Sequence, residues 1–125
     1  MSNGLKVTFL IHAIVSLLFG LGLYLVPVQF GAMVSWPAAD PTMARLTGNS
    51  LLAIGVSSWL GYRAANWQQV RITLIMEIAL TVLGALITLY SVLFGGAPSF
   101  AWGNFAVFVI FGILWIYFYA TAPNA

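Results

Sequence analysis

Four stretches of about 20 mostly apolar residues, the length that crosses the hydrocarbon core of a bilayer, dominate this chain. They run Val7 to Val26, Pro41 to Tyr62, Ile72 to Phe94 and Ala101 to Ala120. Of the 125 residues 62% are hydrophobic and 5% are charged, where soluble domains are about a quarter charged. A chain this short leaves much of its surface exposed, so lipid must be the solvent for most of it. The expected fold is all-α: a polytopic, up-down four-helix transmembrane bundle forming a single domain over residues 1–125.

Local signals set the boundaries. Pro27 lacks an amide hydrogen and disfavours helix in its predecessor, which ends the first span. Asp40 before Pro41 provides an N-cap acceptor and a proline at the first helical position. FGGAPS, Phe94 to Ser99, separates the third span from the fourth. The N-terminal run lacks a small-residue cleavage site and is too long for a signal sequence, so it reads as a retained membrane helix. The loop Val28 to Ala39 contains Phe30, Met33, Val34 and Trp36 and is expected to lie in the interface as a short amphipathic turn. A lid over the bundle is the alternative.

Lys6, Arg63 and Arg71 fall on one face of such a bundle, and Arg45 with Asp40 on the other. By the positive-inside rule the N- and C-termini are cytoplasmic and the protein is a multi-pass protein of the cell membrane. Membrane lipid is then an obligatory partner, and other membrane subunits or a second copy are further ones. No basic run or RNA-type motif is present, so nucleic acid is not expected to bind.

Only two residues are acidic, and Glu77 lies inside the apolar run RITLIMEIALT. A carboxylate facing lipid costs several kcal/mol, so Glu77 is expected to face the bundle. It lies six residues beyond Arg71, as His12 lies six beyond Lys6, which puts both about 9 Å inside the same boundary. They form the expected buried polar pair. Ser57 and Ser58 reach that depth from the second helix and Tyr117 from the fourth, with Ser16 and Thr81 in support. Glu77, Thr81, Gly84, Thr88 and Ser91 make a seam of four- and three-residue steps. His12, Ser16 and Gly20, and Ala53, Ser57 and Gly61, are rows of small or polar residues that would let helices approach closely. Toward the other face Asp40, Arg45, Asn49 and Asn104 form a second polar cluster. There Arg45 pairs with Asp40, extends to the head groups, or binds an anionic head.

The chemistry open to such a chain is narrow. Cysteine is absent and histidine occurs once, which removes thiol chemistry, Cys-ligated clusters and multi-histidine metal sites. No hydrolase or metalloprotease signature is present, and the two carboxylates fall on opposite faces, so an enzyme is not expected. No metal or cofactor is expected either, the alternative being a haem or chlorophyll-type pigment ligated by His12. The aromatic stripe from Phe105 to Ala120 suits lipid, another subunit, or a flat ligand such as a quinone or sterol.

The histidine in FLIHAIVSLLFGLGLYLVP, the long loop leading to DPTMARLTG, and the aromatic last helix together resemble the DoxX-like group of small four-helix membrane proteins. The resemblance spans nearly the whole chain. It implies a compact bundle and no settled activity, and it carries no catalytic role onto His12, Arg45 or Gly48. Small multidrug resistance transporters have their key glutamate in the first helix, where this chain has none. The expected function is thus a non-catalytic accessory subunit or binder of a lipophilic molecule: a lipid, quinone or pigment. The alternative is a proton-coupled small transporter or channel working as an oligomer through Glu77.

Overall fold

The computed structural model describes residues 1–37 and 39–123. Among them there are five α-helices and no strand: α1 (Asn3–Leu25), α2 (Pro27–Met33), α3 (Pro41–Arg63), α4 (Trp67–Phe94) and α5 (Phe100–Ala120). Caps explain where the helices begin. Ser2 Oγ accepts from Leu5 N at 3.2 Å, so α1 starts four residues before the expected Val7. Asp40 Oδ1 accepts from Thr42 N at 2.9 Å and Met43 N at 3.4 Å, ahead of Pro41. Asn66 Oδ1 accepts from Gln69 N at 3.2 Å, so α4 begins at Trp67 and not at the expected Ile72. The Val28–Ala39 segment is more ordered than a turn. Its first part is helix α2, with Pro27 at the first position and Pro27 and Gly31 buried. Ala38 of that segment lies outside the described residues.

Three helices, α1, α4 and α5, are long and apolar enough to cross a membrane. α3 is not among them, because its first half, PTMARLTGNS, concentrates arginine, asparagine and hydroxyl side chains.

α1 packs along α3 and α4 along α5, while the other pairs touch only locally. The α1–α3 contact is a backbone contact. A Cβ on Gly48 would stand 2.6 Å from Tyr24 N and 2.8 Å from Gly20 O, and one on Gly20 would stand 2.9 Å from Leu52 N. Such closeness lets dispersion act between main chains where lipid supplies no hydrophobic force. The row expected on α3 is therefore displaced: Gly48, Gly55, Ser58 and Gly61 are its buried residues, whereas Ala53 is exposed and Ser57 half-buried. On α1, His12, Ser16 and Gly20 are all buried.

The two helix pairs share a buried apolar core at one end. There Leu5, Phe9, Val70, Leu74, Phe111 and Trp115 form a closed apolar cluster, with the Phe9 and Trp115 rings 4.8 Å apart. Lys6, Arg63 and Arg71 belong to this end by their position in the chain. Away from it the helices part, and a cavity of about 610 Å³ opens between α1, α3 and α5, with α2 at its mouth.

Candidate functional site: a polar-floored cavity in the helix bundle

α1 contributes His12, Ser16 and Phe19 to the cavity wall, and the wall extends along it to Leu23, about 16 Å at 1.5 Å per residue. α3 adds Thr47 and Leu51, α5 adds Asn104, and α4 reaches the cavity only through Leu80 and Thr81. Phe30 of α2 stands edge-on to Phe19 with centroids 5.5 Å apart, and Phe100 stacks with Phe19 at 6.4 Å. The walls are thus largely aromatic and aliphatic. Few of the lining side chains carry a polar group, and among the described lining residues none is lysine or arginine.

His12 forms the floor. Its ring is gripped edge-on by Phe111 at 4.6 Å and Trp115 at 5.4 Å. Ser58 stands between His12 and Glu77. Its Oγ lies 2.8 Å from His12 Nδ1 and donates to Glu77 Oε1 at 3.1 Å. The direct His12 Nδ1–Glu77 Oε1 distance is 3.6 Å, too long for a hydrogen bond, so the serine links the pair. A hydroxyl has one proton to give. When Glu77 is ionised and takes that proton, Nδ1 is the donor to Ser58 and Nε2 is left as an acceptor. No other described residue hydrogen-bonds to Nε2, and the ring lines the cavity while being only 6% exposed.

Glu77 has no exposed surface and does not line the cavity. Its Oε2 and the indole Nε1 of Trp115 are buried without a described partner. Behind them lies the apolar cluster, so the polar chain ends at Glu77 and does not cross the molecule.

The remaining expected residues divide sharply. Ser16 is buried one turn above His12 and lines the cavity. Thr81 also lines it, with its hydroxyl donating to Glu77 O at 2.8 Å. Ser57 takes no part, since one residue of helix is a rotation of about 100°. Tyr117 is 58% exposed and points away, two residues past the inward Trp115. The second polar cluster is not assembled. Asp40 is engaged as the α3 cap, and Asp40 and Asn104 line the cavity, while Arg45 and Asn49 are exposed and do not. No ion pair joins Arg45 to Asp40 among the described residues, because the carboxylate is turned to the amides that begin α3.

The sequence gives no direct sign of the cavity. The pair Phe111 and Trp115, four residues apart and flanking Gly112, is the one signal that could have marked α5 as the helix that holds the histidine. No group of three or more metal-ligating side chains occurs among the described residues. Comparison with family models, curated proteins and solved structures finds no match to this chain.

Proposed function

We propose that this protein is a non-catalytic, multi-pass protein of the cell membrane that holds a lipophilic molecule in the cavity between α1, α3 and α5, as a binder or an accessory subunit of a larger assembly. The observation that carries this reading is the cavity itself. Its volume lies within the roughly 300–1,000 Å³ of small-molecule sites, and its apolar walls with a few placed polar groups match their usual character. The DoxX-like resemblance of His12, the Arg45–Gly48 stretch and the aromatic α5 is consistent with a compact bundle of this kind. In this reading α3 completes an up-down four-helix bundle, shielded from lipid on one side by α1, and the closed end faces the cytoplasm, which the cations Lys6, Arg63 and Arg71 support by the positive-inside rule. The cavity then opens toward the outer face.

Proton-coupled transport through Glu77 is the competing reading, and the geometry disfavours it. Glu77 is separated from the cavity by His12 and Ser58, and the Leu5–Trp115 cluster closes the route beyond it. A pigment on His12 Nε2 would use the same cavity and is a special case of lipophile binding.

Ligand binding to the folded state alone raises stability by about 2.7 kcal/mol when the ligand is at 100 times its dissociation constant. In phosphatidylcholine nanodiscs, a saturating long-chain lipophile is expected to raise the unfolding temperature of the wild type. Leu51→Trp, which fills the cavity, is expected to remove the shift. Equal shifts in both proteins would overturn the assignment of the site.

A further inference from the structure

The polar groups along the cavity are not equivalent, and their differences specify a ligand. Thr47 Oγ1 donates to Met43 O at 3.0 Å and Thr81 Oγ1 to Glu77 O, so both hydroxyl protons are satisfied within their own helices. Asp40 is turned to its cap amides. At the floor the situation reverses. His12 Nε2 is an acceptor without a described partner, and Ser16 Oγ, one turn above it, makes no hydrogen bond with another described residue. Residues four apart on a helix lie on the same face, and His12 and Ser16 both line the cavity. An acceptor that faces a largely apolar cavity gains by meeting a donor there, which gives this part of the wall a preference for one.

Charge narrows the choice. No lysine or arginine lines the cavity among the described residues, and the carboxyl groups of Asp40 and Glu77 stand near its two ends. An anionic head would enter without a counter-charge. A permanent cation would meet His12 at the floor, since Glu77 is covered by Ser58 and His12. A neutral head avoids both costs.

We infer that the cavity takes a neutral lipophilic alcohol head-first, its hydroxyl donating to His12 Nε2 and accepting from Ser16 Oγ, with the hydrocarbon chain running past Phe19 toward Trp36. This rests on the lipophile-binding reading and adds the head group and its direction. Ser58 and Glu77 act through His12: they hold Nδ1 as the donor and so keep Nε2 an acceptor.

The chain has a single histidine, so ¹⁵N-histidine labelling reports on His12 alone. Protein in phosphatidylcholine nanodiscs is titrated with dodecanol, dodecane, 2-dodecanone, dodecanoate and dodecyltrimethylammonium. Dodecanol is expected to bind about tenfold more tightly than dodecane, the value of one net hydrogen bond, and to move the Nε2 resonance while Nδ1 stays. Ser16→Ala, a small change that keeps the fold, is expected to cut that advantage to about threefold, since the bond to His12 Nε2 remains, and to leave dodecane unaffected. Equal binding of dodecanol and dodecane with Nε2 unmoved would overturn the head-first alcohol and leave the lipophile site standing. A ketone, carboxylate or ammonium chain that bound better than the alcohol and shifted Nε2 would also overturn it. Failure of every chain to bind saturably would overturn both.

Discussion

Ser58 is the residue on which the buried polar chain depends. Replacing it with alanine removes the donor to Glu77 and the partner of His12 together, leaving two buried polar atoms unpaired. Each such loss costs about 1–3 kcal/mol, so Ser58→Ala is expected to destabilise the protein markedly in steric-trap or denaturant unfolding. Ser57→Ala should stay within about 0.5 kcal/mol. Equal effects would show that the serine bridge does not operate. Glu77→Gln keeps the shape and an acceptor for Ser58, and membrane hydrogen bonds contribute only about 0.6 kcal/mol on average. A small stability change with unaltered lipophile binding is therefore expected. Loss of a proton-driven flux in vesicles with the fold intact would favour the transport reading. The shared depth of His12 and Glu77 was legible from their equal spacing to Lys6 and Arg71. The choice between Ser57 and Ser58 was not, because it depends on how α3 is rotated against its neighbours.

At the scale of the element, the α1–α3 crossing makes a sharper demand than any side chain. Gly48 has backbone atoms of α1 within 3 Å of where a Cβ would stand, whereas Gly103 has open space there. Overpacking a tight contact costs about 1–3 kcal/mol. Gly48→Ala is expected to lower stability by at least that much, because main chain cannot rotate aside as a side chain does. Gly103→Ala should be neutral or stabilising by up to about 1 kcal/mol through helix propensity. Similar losses in both would contradict the close crossing. Pro27, Asp40 and Pro41 made the boundaries around the second segment readable in the sequence. Helix α2 was less so, since seven residues between two longer helices show no usable periodicity. The small-residue row on α3 was placed one face away for a related reason: small residues are common throughout that helix, and only contact with α1 singles out Gly48 and Gly55.

For the whole molecule, the proposed orientation in the membrane rests on the asymmetry between a closed basic end and an open cavity. The chain has no cysteine, so single-cysteine variants report topology cleanly. A membrane-impermeant maleimide applied to intact cells is expected to label Ser35→Cys and to spare Ala65→Cys, both at exposed positions. The reverse pattern would place the cavity mouth in the cytoplasm. Composition and span length made the membrane-embedded, all-helical character legible, but the cavity arises from where two helix pairs part, and such separation leaves no mark on one segment. The most direct measurement is organic extraction and mass spectrometry of protein purified gently from native membranes, wild type and Leu51→Trp side by side. One lipophilic species, retained in near-stoichiometric amount by the wild type and missing from the folded variant, is the expected result. The same lipid profile from both, with nothing enriched over the bulk membrane, would contradict a lipophile-binding cavity.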